Sequence, residues 1–216
     1  MSDRRILLAL GGIYHDFSGF TAAMTPRLEN AGYAVQPTYD LDDLANLEKI
    51  RPDVVLLYTS LSAPQEGETR TPGHSPAQVE GLARWVNAGG ALVAVHAASV
   101  AGQFSAEFKR LVGGAFVSHP PQFSFTVYPL REEHPITAGI EAFTVRDEFY
   151  VQDCEQAIEI HMVALDRGVA HPMVWSRQDG AGRVAYVAMG HGPEVWGLET
   201  YRRLLVQAIG WTRKEA

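Results

Sequence analysis

The sequence predicts an α/β fold: a doubly wound, mostly parallel sheet with helices on both faces, continued by an antiparallel β extension in the second half. Three observations predict it. Short, uninterrupted apolar runs such as "RILLAL" (5–10) and "DVVLLYTS" (53–60) mark strands covered on both faces. These runs alternate with helical periodicity as far as residue 114. Beyond that point strand patterns follow one another with little helix between them.

Taken in order, "RILLAL" is the first strand, and "FSGFTAAMTPRLENAGY" (17–33) a helix that carries Pro26 and stops at Gly32. "AVQPTYD" (34–40) is an edge strand, because Pro37 removes a ladder donor. "DDLANLEKI" (42–50) is a short helix capped by Asp42 or Asp43. After the third strand, residues 60 to 74 form a long polar loop that belongs with a site. "SPAQVEGLARWVNAGG" (75–90) has Ser75 as its N-cap, Pro76 at the first helical position and Gly89 at its end. "ALVAVHA" (91–97) is the fourth strand and "SAEFKRLVGG" (105–114) the next helix. "FSFTVYPL" (123–130), "AIEIHMVAL" (157–165) and "PMVWSR" (172–177) are the antiparallel strands. The "DGAG" turn (179–182) leads into "RVAYVAMG" (183–190), which returns to the main sheet, and "LETYRRLLVQAIGWT" (198–212) is the closing helix.

The 216 residues show no repeat, linker or low-complexity tract, so residues 1–216 read as one domain. The chain is 46% hydrophobic and 20% charged, which suits a soluble globular protein. A formal net charge of −7 without a basic cluster argues against a nucleic-acid partner. No run approaches the about 20 apolar residues of a membrane span, and the Arg-containing N-terminus reads as a strand rather than a signal peptide. One cysteine, Cys154, cannot form an internal disulfide, so a reducing, cytoplasmic location is expected. No interface signal decides whether the protein is a homo-oligomer.

Open α/β sheets bind ligands outside the carboxyl ends of their strands. His15 follows the first strand in "GGIYHD", His96 ends the fourth and His191 follows the last, and imidazoles gathered there can transfer protons near neutral pH or bind a metal. His74 and His119 lie in loops further on; His161, on an apolar strand, reads as a half-buried structural residue, and His134 as part of a turn.

The stretches "YHDF" (14–17), "GGALVAVHAAS" (89–99), "GGAFVSHPP" (113–121), "EEHPITAGIEAFTVRDEFY" (132–150), "HPMVWSRQDGAGRVAYVAMGHG" (171–192) and "LLVQAIGW" (204–211) resemble, in order and spacing, the trehalose-utilisation (ThuA-like) proteins. The resemblance implies a flavodoxin-like, three-layer α/β/α arrangement of the class I glutamine amidotransferase type, and a part in the catabolism of trehalose or a related disaccharide or keto-sugar. That fold type implies a nucleophilic cysteine on a strained elbow after strand four, but His96 stands at or beside that place and Ser99 falls three residues late. Cysteine-dependent glutaminase activity is therefore not expected.

His15, Asp16, His96, His119, Glu148 and His191 all lie in the matching stretches. Two uses are open for them: acid–base chemistry on a sugar, and a divalent metal (Zn, Mn, Fe or Ni) held by a subset of His15, His96, His119, His191 and Glu148. The catalytic candidates are His96, Glu148, His191 and His15, with Asp147 the structural neighbour of Glu148. Asp16, Tyr14, His119, Tyr150 and Trp196 are candidates for substrate contact, the aromatics as stacking faces for a pyranose ring. A non-catalytic sugar-binding or assembly subunit on the same fold is the competing reading.

Overall fold

The computed structural model describes residues 4–64, 69, 71–131 and 133–215. The first half alternates β1 (Arg4–Gly12), α1 (Phe17–Asn30), β2 (Tyr33–Thr38), α2 (Leu47–Ile50), β3 (Val54–Ser60), α3 (Pro76–Asn87), β4 (Ala91–Val95) and α4 (Ala106–Val112). The second half holds β5 (Gly114–Ser118), β6 (Phe123–Pro129), β7 (Phe143–Asp147), β8 (Val151–Cys154), β9 (Glu159–Asp166), β10 (Val169–Asp179), β11 (Gly182–Val187), α5 (Pro193–Trp196) and α6 (Glu199–Thr212).

Nine strands form one sheet in the order β2-β1-β3-β4-β11-β10-β9-β6-β7. The first five are parallel and reproduce the 2-1-3-4-5 order of doubly wound, flavodoxin-like sheets, with β11 in the fifth place. Helices α1, α5 and α6 pack together, as do α2, α3 and α4, and both groups reach β11, so the sheet is covered on both faces. That is why β3 and β4 are buried at every residue and carry no polar alternation.

The predicted punctuation is visible in the caps. Pro37 sits in β2 at the sheet edge, where a missing ladder donor is tolerated. Ser75 closes a capping box with Gln78 ahead of Pro76, and Ser105 caps α4. The run 42–50 differs from expectation. It divides into a 3₁₀ turn, Leu41–Asn46, and the single turn α2, and the capping side chain is Asp40, which accepts from the Asp42 N–H. Part of the 60–74 loop, residues 65–68 and 70, lies outside the described residues.

The antiparallel half is richer than its sequence pattern. β7 was hidden between turn residues, and β5 pairs with β8 in a separate two-stranded sheet. β10 begins three residues before the expected strand and absorbs Pro172 in an irregularity between Pro172 and Val174. Among the described residues, no helix is long and apolar enough to cross a membrane.

Because β3 is central and Leu56 is fully buried, Leu56→Ala is expected to lower the unfolding free energy by about 2–5 kcal/mol. Leu165→Ala, at a position 57% exposed, should stay within about 0.5 kcal/mol. Urea titration with an unchanged slope measures both, and equal losses would contradict this placement of the core.

Candidate functional site

The carboxyl ends of β1, β3, β4 and β11 open onto a cavity of about 540 Å³, a size suited to a small organic ligand. Its floor is built by residues that follow strands. Where β4 ends, the chain passes into a 3₁₀ turn, His96–Gln103, and His96 itself takes a left-handed backbone conformation, φ +47°. The strand thus ends at Val95, one residue before the histidine, and the strained strand-to-helix elbow carries an imidazole. A Cβ on Gly190, φ +146°, would stand 3.3 Å from the His96 Cβ and 3.0 Å from the Tyr201 hydroxyl, so the loop after β11 approaches the elbow only because that residue is glycine.

His96 is wholly buried. Its Nδ1 lies 2.7 Å from the carbonyl of Ala188, and because a carbonyl only accepts, Nδ1 carries the proton. Nε2 is left with a lone pair, 3.3 Å from Glu148 Oε2. His15 is arranged in the same way: Nδ1 donates to the Ile13 carbonyl at 3.1 Å, leaving Nε2 bare. The Nδ1 of His191 is 3.3 Å from the same Glu148 oxygen. The rings of His15, His96 and His191 meet edge to face, with centroids 4.7 to 5.7 Å apart. One ligating atom from each of His15, His96, Glu148 and His191 falls within 4.8 Å of all the others.

Among the described residues, His15 Nε2, His96 Nε2 and His191 Nδ1 are buried without an aligned hydrogen bond. Leaving a buried polar atom unpaired costs roughly 1–3 kcal/mol, so packing alone gives no reason to collect them. Burial, reinforced by the nearby His96, pushes the His15 imidazole down to about 3, so it is neutral at physiological pH. Burial on its own would raise the Glu148 carboxyl, but the imidazoles of His191 and His96 outweigh it and hold the group below the ordinary carboxylate range. The Glu148 carboxylate in turn raises His191.

Glu148 reaches the floor by an indirect route. Three strands separate β7 from β11 in the sheet order, yet the buried carboxylate of Asp147, at the end of β7, accepts the N–H of Gly190 at 2.7 Å and that of His191 at 3.2 Å. The antiparallel half therefore curls back over the carboxyl edge, and the 148–150 crossing to β8 delivers Glu148. Tyr150 packs against the rings of His96, with centroids 4.1 Å apart, and His119, at 5.7 Å. A polar set beneath the elbow supports it: Tyr186 donates its hydroxyl to the His96 carbonyl at 2.7 Å, and Ser99 and Gln152 bond that hydroxyl.

Not every expected residue joins the cavity. His119 does, at the wall, with Nε2 3.7 Å from Glu148 Oε1, and Tyr14 lies at the rim with 62% of its surface exposed. Tyr150 lines the wall but is only 3% exposed, with the ring of His96 stacked on it at 4.1 Å, so it offers little surface to a sugar ring. Two assignments need correction. Trp196 is buried, donates to the Gly190 carbonyl at 2.6 Å and packs on Phe20, so it offers no stacking face. Asp16 is the N-cap of α1, accepting from the Gly19 N–H and the Ser18 hydroxyl, each at 2.8 Å, and does not line the cavity.

The remaining candidates are accounted for elsewhere. His74 is buried against Thr59 and Gln78, and burial lowers it to about 4. His161 is fully buried, not half-buried, and bonds Ser176 at 2.7 Å. Cys154 is on β8, and burial pushes its thiol up to about 11. Ser60, Gln103 and Phe116 also line the cavity. Ser60, at the end of a buried strand, was the one that the strand-end rule could have found.

Compared with known proteins, the chain matches the family described as trehalose utilisation (ThuA) over residues 5–212. No curated protein sequence matches it. Among solved structures, a ThuA-like protein from Parabacteroides merdae ATCC 43184 superposes with a TM-score of 0.81 at 17% identity, covering 99% of this chain and 91% of the other. A ThuA-like protein from Bacteroides uniformis ATCC 8492 gives 0.74 at 20% identity, covering 97% and 91%. A cytoplasmic protein from Salmonella typhimurium LT2 gives 0.71 at 11% identity, covering 96% and 99%. At these identities the structural likeness establishes the fold alone. With nearly its whole length matched, the chain belongs to the ThuA (trehalose utilisation) family.

Proposed function

We propose that this protein is a cytoplasmic enzyme of carbohydrate catabolism that acts on a disaccharide or a keto-sugar derivative by hydrolase- or isomerase-type chemistry. The observation that carries the reading is the convergence of three imidazoles and one carboxylate at a cavity large enough for a sugar, with His15, Glu148 and His191 lining it and His96 fully buried against them. The family description supports the substrate class, and the lone cysteine and the Salmonella neighbour support the location.

The roles follow from position. His15, His96, Glu148 and His191 activate an oxygen of the bound sugar, either by moving a proton to or from it or by polarising it. Imidazole and carboxylate suit that work because burial and mutual contact set their charge states before substrate arrives. His119, Ser60 and Gln103 on the walls can hydrogen-bond sugar hydroxyls, and the exposed ring of Tyr14 at the rim offers the stacking face that Trp196 does not.

Turnover of trehalose, other disaccharides and their keto forms by the full chain tests this reading. His96→Ala and Glu148→Gln are each expected to lower kcat/KM by at least about 100-fold, with circular dichroism unchanged. Full turnover by both variants overturns the assignment, and a wild-type protein that binds a sugar without converting it is a binding module instead. In the same assay Tyr14→Ala should raise KM about 2- to 10-fold, as befits loss of one aromatic contact, and leave kcat within about twofold. An unchanged KM removes Tyr14 from the binding surface.

A further inference from the structure

From two imidazole nitrogens set 3.3 Å from one carboxylate oxygen, with a third imidazole within 4.8 Å of them, we infer that His15 Nε2, His96 Nε2, His191 Nδ1 and Glu148 Oε2 form a binding site for one divalent transition-metal ion of the zinc class. The inference deepens the proposed function, because it rests on reading this cluster as the reactive centre.

Three observations carry it. The first is distance: with metal–ligand bonds of roughly 2.0–2.1 Å, the edge of a tetrahedral site is about 3.3–3.4 Å. The two contacts to Glu148 Oε2 are both 3.3 Å, and all four donors already lie within 4.8 Å of one another. The second is donor state. Carbonyls of Ala188 and Ile13 hold the Nδ1 protons of His96 and His15, which turns the Nε2 lone pairs inward, as outer partners do for metal-ligating histidines. Among the described residues the three nitrogens meet no aligned hydrogen bond, and His96 is fully buried. The Nε2 lone pairs of His96 and His15, held beside a carboxylate oxygen, are repelled by it unless a cation lies between them. The third is access: His15, Glu148 and His191 line the cavity, so a substrate oxygen could approach the ion from that side. An imidazole-rich set with one carboxylate favours Zn, Fe or Ni over Mg or Ca.

A second group with the same residue types shows what is missing when no ion is expected. His134, Glu159 and His161 are also close together. There the two imidazoles stack, with centroids 4.0 Å apart and planes at 23°, so their lone pairs run side by side and cannot meet at one point. Glu159 is held by Arg131, and His161 Nε2 by Ser176.

The test uses the full chain stripped with a chelator and dialysed. Titration with Co(II), followed by visible d–d absorption, and with Zn(II), followed by calorimetry, should each saturate at one equivalent. Glu148→Gln, which keeps side-chain volume, and His15→Ala should each weaken uptake by at least about 10- to 100-fold, while His134→Ala leaves it unchanged. Circular dichroism of each variant establishes that it has folded. No uptake by the wild type, or uptake indifferent to both Glu148→Gln and His15→Ala, overturns the site. The two readings separate cleanly: sugar turnover that persists undiminished in a stripped protein that takes up no Co(II) overturns the metal alone. Stoichiometric Co(II) uptake by a protein that converts no sugar overturns the proposed function and keeps the metal.

Discussion

At the carboxyl end of β4 the backbone turns left-handed on a histidine, and the hydrogen bond from that imidazole to the carbonyl of Ala188 makes the rest of the site intelligible. It joins the ends of two adjacent parallel strands, β4 and β11, through a side chain. It fixes which nitrogen of His96 is protonated, and so which one faces Glu148. A left-handed histidine is costly by itself, of order 1–3 kcal/mol. Tyr186 and Ser99 donate to its carbonyl, Gln152 donates to both of their hydroxyls, and Tyr150 stacks on its ring.

The two halves of the sheet have different tasks around that point. The parallel half is a rigid apolar slab whose strand ends carry His15, His96 and His191 into one place. The antiparallel half contributes the single carboxylate, and it does so because Asp147 binds the backbone of the very loop that carries His191. Adjacent acidic residues thus take opposite parts: Asp147 is buried and satisfied by amides, while Glu148 faces imidazoles. Burial raises Asp147, whereas Glu148 is held below its usual range. Sequence proximity gave them the same chemistry, and burial with partner choice separated them.

Much of the slab was legible in the residues. A strand buried on both faces is apolar throughout, and α3 begins at a side chain that can cap it, so β1, β3, β4 and α3 announce themselves locally. The strand-end rule also picked out His15, His96 and His191, since parallel strands carry their carboxyl ends to one edge. The errors have a common origin. Trp196 and Asp16 neighbour the cluster in sequence, but a helical turn and a capping geometry point them elsewhere. β5, β7 and β8 are four or five residues long, too short for a periodic signal to stand out.

By itself, then, the sequence determined a layered α/β architecture with a parallel first half and the three imidazoles at its strand ends, because these follow from local periodicity and a general property of parallel sheets; the order of the strands, with β11 beside β4, came from the tertiary structure. Only the tertiary structure decided that Glu148 joins those imidazoles, that their bare nitrogens converge within 4.8 Å, and that His134 and His161 stack rather than converge. Those facts depend on how the antiparallel half curls back and on which carbonyl each ring meets. They are long-range contacts between residues as far apart as 15 and 191, and no local pattern encodes the angle at which two distant side chains approach.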